Sequence, residues 1–216
     1  MDLIEACRSN DTEKALGLIK NNDTNLGIVD SDGRTALILA CNCYMKKVAL
    51  ELIKTGHANP GHIDNDGNTA LICACLYKMT EVALELIKTG HAKPEHVNNF
   101  GNTTLIYACS SGMKEVALEL IKTGYIKSEQ VDNYDKTALI WACEMGMKEV
   151  ALELIKTGYA KPEQVNKEGN TALIWACHRE MKEVALELIK TGHANLGKVD
   201  ILVTRLLLWH VGVGME

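Results

Sequence analysis

The sequence has little of what several classes of protein require. Its 216 residues carry 23 Lys and Arg against 28 Asp and Glu, a net charge of −5, so it lacks the basic excess of a general phosphate-backbone binder. No apolar run reaches the roughly 18 residues that span a bilayer. The first residues have neither the basic nor the apolar region of a secretory signal. We therefore expect no nucleic-acid partner, no membrane association and a cytoplasmic protein.

The motifs of common catalytic and metal sites are also missing. The sequence has no phosphate-cradling glycine loop, no nucleophile elbow and no paired zinc motif. Its eight cysteines, without a signal sequence, are typical of reduced thiols. We therefore predict that the protein is not an enzyme and that it uses no cofactor and no metal.

What the chain does contain is an internal repeat of 34 residues. An octapeptide recurs as RTALILAC at 34–41, NTALICAC at 68–75, NTTLIYAC at 102–109, KTALIWAC at 136–143 and NTALIWAC at 170–177. The segment VALELIKTG follows each copy at the same distance, and LIEAC at 3–7 fits the same register. A fixed period of this length predicts a solenoid of stacked units.

Each copy of the repeat is predicted to form two helices and a loop. The threonine of the octapeptide is suited to cap the first helix, because its hydroxyl can accept a hydrogen bond from an early backbone N–H. In the clearest copy the second helix runs from about Met79 to Thr89, with Val82 and Leu86 on its apolar stripe. Gly90 is expected to end this helix, since glycine adopts the left-handed conformation at low cost. The Asn- and Gly-rich segment that follows predicts a hairpin-like finger.

This unit resembles the ankyrin repeat, whose first helix opens with Thr-Pro-Leu-His-x-Ala and whose second helix ends before a glycine and a hairpin finger. Here Ala replaces the proline and Ile the histidine, and each unit is one residue longer, with the extra residue in the finger. The resemblance implies an all-α repeat solenoid of stacked ankyrin-type helix-turn-helix units with hairpin-like finger loops. It implies a single array over 1–216: an N-terminal helix pair with the first finger (1–34), five repeats (35–68, 69–102, 103–136, 137–170 and 171–204) and a truncated fragment (205–216).

The closing stretch, residues 201–216, departs from the repeat. The register calls for a segment like GNTALIWAC at 203–211, but the sequence there is VTRLLLWHV. With one choice of codons, the codons of residues 202–211 read one base earlier give GNTALIVAC. We therefore hypothesise a frame-shifted sixth repeat. Because repeat arrays need a polar terminal cap, we expect Leu206 and Trp209 to be only partly buried.

The copies differ from one another in two registers. One is the pair after the Ala-Cys of the first helix, and the other is the finger tip together with the residue before the threonine. The resemblance places both on the concave face of the array, which ankyrin proteins use to bind partners. From these registers we predict partner contacts at Asp66, Asn68, Tyr77, Phe100, Asn102, Tyr134, Lys136, Met145, Glu168 and Arg179. Phe100 and Tyr134 are the expected anchors, since aromatic residues are enriched at hot spots; drift at exposed positions is the alternative explanation.

These observations predict a non-enzymatic scaffold that binds another protein through the concave face and the finger tips, itself a monomer. The alternative is a substrate-recruiting adaptor of a larger complex such as a ubiquitin ligase, but no recruiting segment is visible in the 216 residues. The uniformity of the copies is similar to the expanded ankyrin sets of large DNA viruses and intracellular microbes. This similarity implies the cytoplasm, that of a host cell included.

Six cysteines share one register of the repeat: Cys7, Cys41, Cys75, Cys109, Cys143 and Cys177. Neighbouring units stack at about 10 Å, whereas a disulfide needs Cα atoms within about 7 Å. We therefore expect these thiols to pack in the core rather than to form disulfides or a zinc site.

Two columns of rings allow more than one interpretation. Tyr107, Trp141 and Trp175 share a register that could form a stacking platform for bases, but we expect them to pack between helices. His57, His91 and His193 share a loop register with Tyr125 and Tyr159, which favours a structural role over metal ligation. His62 and His96 lie nearby in their fingers and could form a pH-sensitive surface.

Overall fold

The structure is a computed structural model that describes residues 2–21, 25–124 and 127–193. These residues form twelve short α-helices. In chain order they are α1 Leu3–Arg8, α2 Thr12–Ile19, α3 Ala36–Asn42, α4 Lys46–Lys54, α5 Ala70–Leu76, α6 Thr80–Lys88, α7 Thr104–Ser110, α8 Lys114–Thr123, α9 Ala138–Glu144, α10 Lys148–Lys156, α11 Ala172–His178 and α12 Lys182–Lys190. The described strand-like structure consists of isolated antiparallel bridges at the fingers, such as Val97 with Thr103.

The chain divides into two compact units, Met1–Ile126 (the first unit) and Lys127–Glu216 (the second unit). In the first unit the first helices of successive pairs, α1, α3, α5 and α7, pack side by side, and so do the second helices, α2, α4, α6 and α8. The second unit repeats this arrangement with α9 packed on α11 and α10 packed on α12. The predicted all-α repeat solenoid is therefore confirmed. The predicted fragment 205–216 lies outside the described residues.

Threonine hydroxyls begin the first helices, as the octapeptide predicts. In the second to sixth helix pairs the Oγ1 atom accepts a hydrogen bond from the amide three residues on, at 3.2 to 3.3 Å. The capping residues are Thr35, Thr69, Thr103, Thr137 and Thr171. In the N-terminal pair, Asp2 and Asp11 cap α1 and α2 instead. These bonds satisfy amides that a helix start would otherwise leave unpaired.

The second helices begin and end by backbone geometry. In the second to sixth helix pairs a buried methionine precedes the second helix, and its amide donates to a first-helix carbonyl, as in the 2.8 Å bond from Met79 to Ala74. At the other end, Thr89 Oγ1 donates to the Leu86 carbonyl at 2.7 Å. Gly90 follows with a φ of +70°, in the left-handed region that glycine adopts without strain. The predicted helix end at Gly90 is thus observed.

The core lies between the two layers of helices and is built mainly from the first helices. Leu71 and Ile72 of α5 are fully buried, and their equivalents in the other octapeptides are also buried. The six in-register cysteines are buried and form no disulfide within the described residues, which agrees with the predicted packing role. Burial raises the pKa of the thiols of Cys7 and Cys109 to about 12 and that of Cys177 to about 11. These thiols therefore behave as small apolar groups.

The solvent-facing side of the second helices carries a regular series of ion pairs. Each of the five repeated second helices pairs its Lys with the Glu three residues earlier, for example Lys88 with Glu85 at 2.6 Å. Pairs also join neighbouring helices: Lys46 contacts Glu81 within the first unit, and Lys148 contacts Glu183 at 2.6 Å within the second. Exposed pairs of this kind add little stability, so their main effect is to keep this face polar and nearly neutral.

Thr104 is a local departure from the repeat with a testable cost. It replaces the Ala of the octapeptide, is fully buried, and its hydroxyl lacks a hydrogen-bond partner among the described residues. Since an unpaired buried hydroxyl costs about 1 kcal/mol or more, Thr104→Ala should raise the midpoint of urea unfolding. The matched control is Ala70→Thr, which creates the same hydroxyl at the same register of another copy and should lower the midpoint. A midpoint for Thr104→Ala below that of the wild type would contradict this account.

The buried thiols predict a loss of stability in alkali. The folded state keeps the Cys109 proton because its pKa is about 12, whereas the unfolded chain releases it near pH 9. Stability is therefore complete below about pH 9 and falls as the pH rises towards about 12, by about 1.4 kcal/mol per pH unit for each such thiol. Cys109→Ala should make the slope of unfolding free energy against pH in alkali less steep, by the contribution of one thiol. Leu105→Ala, which destabilises the same helix without removing a thiol, should keep the wild-type slope.

Candidate partner-binding surface

Each finger is built around one buried Asp or Asn side chain. In the third finger, Asn98 Oδ1 accepts the amides of Phe100 at 3.1 Å and of Asn102 at 2.9 Å. The Asn98 amide donates to the Asn102 carbonyl at 3.0 Å and closes the turn. The same two side-chain bonds recur in all five fingers, at Asp30, Asp64, Asn98, Asp132 and Asn166. This residue, five before each capping threonine, fixes the path of the backbone to the finger tip.

The first finger shows how a buried carboxylate is held in its charged form. Burial alone would raise the pKa of Asp30, but hydrogen bonds from the side chains of Arg34 and Arg8 and from finger amides lower it to about 2. Arg34 lies 2.8 Å and Arg8 3.2 Å from Asp30 Oδ2. The N-terminal helix pair is thereby tied to the first finger.

Neighbouring fingers are hydrogen-bonded to one another within each unit. In the first unit the Asn99 amide donates to the Asp66 carbonyl at 3.1 Å, and its side-chain amide donates to the Asn65 carbonyl at 3.0 Å. In the second unit the Lys167 amide donates to the Tyr134 carbonyl at 3.1 Å. The first residue of each of these tip pairs therefore joins fingers, and the second residue is the one whose side chain is available to a partner.

A second connection between fingers involves His62, His96 and Gln164. His62 Nε2 lies 2.7 Å from the Gly33 carbonyl oxygen, and His96 Nε2 lies 2.9 Å from that of Gly67. Gln164 Nε2 donates to the equivalent carbonyl in the second unit at 3.2 Å. Because a carbonyl only accepts, the Nε2 atom of each histidine is the donor in these contacts. The two histidines therefore join neighbouring fingers, and the pH-sensitive surface stays a hypothesis.

The predicted contacts at the second tip position are all exposed. Phe100 is 46% and Tyr134 63% exposed, and the side chains of Asp66 and Glu168 also face solvent. The backbone amide of each is held by the buried Asp or Asn of its finger, as in the 2.8 Å bond from the Tyr134 amide to Asp132 Oδ1. The two aromatic rings belong to different units, Phe100 to the first and Tyr134 to the second. Both present apolar surface on a fixed backbone.

Asn68 and Asn102, the predicted contacts nearer the helix, are half-buried and already hydrogen-bonded. Asn68 Oδ1 accepts a hydrogen bond from Asn98 Nδ2 at 2.8 Å. Asn102 Nδ2 donates to the Tyr107 hydroxyl at 3.3 Å. The side chains of Asn68 and Asn102 are held by these hydrogen bonds at the base of the finger tips, and only part of each side chain faces solvent.

Lys136, a predicted partner contact, is buried in the structure. Its side chain is only 8% exposed, and Nζ pairs with Glu144 at 2.7 Å and lies 4.1 Å from the centre of the Trp141 ring. Trp141 Nε1 in turn donates to Asp132 Oδ2 at 2.8 Å. An ammonium held by a carboxylate and an aromatic face is part of the framework. Lys136 therefore supports the surface rather than presenting a free charge on it.

The three predicted contacts at the far end of the first helices differ in accessibility. Tyr77, Met145 and Arg179 are the C-terminal caps of α5, α9 and α11. Met145 is 43% exposed, and Arg179 is exposed and donates from Nε to the Glu144 carbonyl at 2.8 Å.

Tyr77 is half-buried at the end of α5, and its contact with a partner stays a prediction. Its ring contacts Tyr44 edge-to-face, with centroids 5.1 Å apart, and burial raises the pKa of its hydroxyl. Together these rings line a pocket of about 590 Å³ with second-helix residues such as Met79 and Leu84. Tyr77 therefore faces a pocket on the second-helix side.

The aromatic column holds a mismatch between two otherwise equivalent repeats. In one repeat the indole of Trp141 donates to Asp132, nine residues earlier. In the next repeat the residue nine before Trp175 is Asn166, whose Oδ1 is already used by the amides of its finger at 2.8 and 3.1 Å. The Asn166 group left for the indole is thus an N–H donor. Both Asn166 Nδ2 and Trp175 Nε1 are buried and lack a hydrogen-bond partner among the described residues.

The buried finger residues and Glu144 are the members of this surface that sequence reasoning missed. The signal for the finger residues was present, because an Asp or Asn stands five residues before the threonine in every copy. The predicted packing of the ring column is observed in part: Tyr107, Trp141 and Trp175 are all half-buried. The loop rings His57, His91, His193 and Tyr159 are exposed, and Tyr125 lies outside the described residues.

The described residues contain no group of three or more His, Cys, Asp or Glu side chains placed to hold a metal ion. None of their helices has the length and apolar character needed to cross a membrane.

The mismatch predicts opposite effects for one substitution at two equivalent positions. Asn166→Asp offers Trp175 the acceptor that Asp132 gives Trp141, and it should raise the urea midpoint, corresponding to about 1 kcal/mol. Asn98→Asp should lower the midpoint, because Asn98 Nδ2 donates to Asn68 Oδ1 and a carboxylate cannot. Shifts of the same sign in both variants would show that added charge, rather than hydrogen bonding, determines the result.

Comparison with known proteins identifies the repeat. Family models described as "Ankyrin repeats (3 copies)" and "Ankyrin repeat" match residues 3–96 and 84–164, and residues 168–201, respectively. No curated protein sequence matches the chain significantly.

Similar solved structures cover nearly the whole chain. An ankyrin repeat domain from Acinetobacter baumannii is 27% identical, with a TM-score of 0.69 over 88% of this chain and 97% of that one. A chain of a Bdellovibrio bacteriovorus predatory endopeptidase in complex with an immunity protein is 29% identical, with a TM-score of 0.65 over 87% and 96%. The ankyrin domain of Bcl-3 is 22% identical, with a TM-score of 0.68 over 98% of both chains, and shows the fold alone. Since the family models cover most of the chain, and its helix pairs have the arrangement of solved ankyrin domains, the chain belongs to the ankyrin repeat family.

Proposed function

We propose that the protein is a non-enzymatic scaffold that binds another protein through the finger tips and the adjoining ends of the first helices, the concave face of an ankyrin array. Ankyrin repeats generally mediate protein–protein interactions, and the family models that match the chain are those of ankyrin repeats. The cytoplasmic location and the monomeric state stay predictions from the sequence.

The observation that supports this proposal is that each finger has a buried, repeated part and an exposed, variable part. The repeated part of the finger is buried and hydrogen-bonded, whereas the side chain at the second tip position is exposed and differs in every copy from the second finger to the fifth: Asp66, Phe100, Tyr134 and Glu168. Groups that are already ordered lose little entropy on binding. A rigid backbone with variable exposed side chains is therefore suited to specific recognition.

The proposed surface has a part in each unit. In the first unit it comprises Phe100 with Asp66 and the exposed edges of Asn68 and Asn102. In the second unit it comprises Tyr134, Met145, Glu168 and Arg179. Each part combines an exposed aromatic ring with polar neighbours, the composition expected of an interface core and its rim.

The test is affinity capture from the native host cell with wild-type protein and with the double variant Phe100→Ala/Tyr134→Ala. A captured partner should bind the double variant at least about tenfold more weakly in calorimetry, since a hot-spot ring contributes about 2 kcal/mol. Both side chains are exposed, so the thermal midpoint should stay within about 1 °C of the wild type.

Tyr159→Ala is the matched control, because Tyr159 is 74% exposed but lies in the loop after α10, away from the finger tips. It should bind like the wild type. A partner that tolerates the double variant but is lost with Tyr159→Ala would place the interface elsewhere.

A further inference from the structure

The second unit contains a group of hydrogen-bond donors that outnumber their acceptors. Asn166 is 4% exposed, and its Nδ2 atom and the Nε1 atom of Trp175 are both buried and unpaired within the described residues. The amide of Asn166 cannot be turned round to help, because its Oδ1 atom already accepts two finger amides. Two N–H groups therefore lie at a position where the preceding repeat has a donor and a carboxylate.

Two cationic residues neighbour Trp175. Arg179 lies one helical turn after it, and its backbone amide donates to the Trp175 carbonyl at 2.9 Å. Lys136 Nζ is 6.0 Å from the centre of the Trp175 ring and is bonded to Glu144. Arg179 uses Nε for the Glu144 carbonyl, and among the described residues no bond involves its two terminal amino groups. Glu144 is already paired with Lys136, and the tip residue Glu168 accepts a hydrogen bond from Asn170 Nδ2 at 3.4 Å. The two buried N–H groups thus have no acceptor among the described residues.

Trp175 differs from Trp141 in what it would lose by moving. Its ring is half-buried in the first-helix column, so part of it already faces solvent. If the ring turns outward, Trp141 must give up a 2.8 Å bond to Asp132, whereas Trp175 gives up none. An unpaired buried N–H costs free energy, and a partner that supplies an acceptor removes that cost.

We propose that the second unit binds an acidic side chain, Asp or Glu, of its protein partner, and that the carboxylate accepts the indole N–H of Trp175. The Arg179 guanidinium, whose terminal amino groups make no bond among the described residues, provides the positive charge that favours a carboxylate over a neutral acceptor, because bonds between ionised groups are the stronger ones. This inference rests on the proposed function and adds the chemistry of one contact. Trp175 thereby becomes a specificity-determining residue of the surface.

The test uses two phage-displayed peptide libraries with identical random flanks, one with a fixed central Glu and the other with a fixed central Gln. Each is selected against the complete chain. Binders should come from the Glu library only, and a synthetic binder should lose at least about tenfold in affinity when its central Glu is replaced by Gln. In spectra of nitrogen-labelled protein, the indole N–H signal of Trp175 should move on binding and that of Trp141 should not.

The decisive variant is Asn166→Asp, because its carboxylate takes the Trp175 N–H inside the protein and repels an incoming acid. It should bind the selected peptide at least about tenfold more weakly while remaining folded. Tyr159→Asp adds the same charge to an exposed loop of the second unit and should bind like the wild type. Trp175→Phe, which keeps an aromatic ring but has no N–H, should weaken the Glu peptide towards the affinity of its Gln twin.

Equal recovery from both libraries, recovery from neither, or unchanged binding by Asn166→Asp would overturn the inference. These outcomes differ from a failure of the proposed function, in which the natural partner ignores Phe100→Ala/Tyr134→Ala. A partner that needs Phe100 and Tyr134 but not the Trp175 N–H would leave the scaffold function intact and refute the acidic contact alone.

Discussion

The buried Asp or Asn at the base of each finger is the interaction on which the binding surface depends. One oxygen accepts two backbone amides, two and four residues further along the chain. These amides have no strand partner, because the finger is too short to form a regular hairpin ladder, and leaving them unpaired would be costly. The side-chain oxygen therefore supplies the acceptor that a neighbouring strand would otherwise supply. It also sets the position from which the exposed tip residue projects.

The second atom of that side chain determines what is bonded around it. A carboxylate oxygen suits a tryptophan donor, as at Asp132 and Trp141. An amide nitrogen suits an acceptor in the adjacent finger, as at Asn98 and Asn68. Asn166 and Trp175 combine the amide of one arrangement with the indole of the other. Repeats whose residues match in size and hydrophobicity therefore differ in whether a given position donates or accepts a hydrogen bond. In a desolvated interface this difference affects the affinity for a partner.

Most of the fold could be predicted from the sequence, because it depends on interactions within one repeat. The threonine caps, the glycine that ends the second helix and the packed cysteines all act over a few residues, so the repeated letters define them. The burial of Lys136 and the half-burial of Tyr77 depend instead on residues outside their own register. Lys136 is buried by Glu144 and Trp141 from the helix that follows, and Tyr77 by Tyr44 from the preceding repeat. The accessibility of a side chain depends on which residues pack against it. The pattern of variation among the copies does not show which residues these are. The sequence shows the combination of Asn166 with Trp175. It could be interpreted as a mismatch only once the structure had shown that the side chain in the Asn166 register is buried.

The ion pairs on the second helices have a consequence for how such a chain changes over generations. Where neighbouring second helices pair, they use the same charges, Lys46 with Glu81 and Lys148 with Glu183, and the packing surfaces beneath them are nearly identical. A recombination event that inserts or deletes one whole module would join surfaces that already match. Each finger tip is encoded within its own module and would be carried with it. The gene can therefore lengthen, shorten or reorder its recognition residues in single steps, whereas point mutation would have to alter them one at a time.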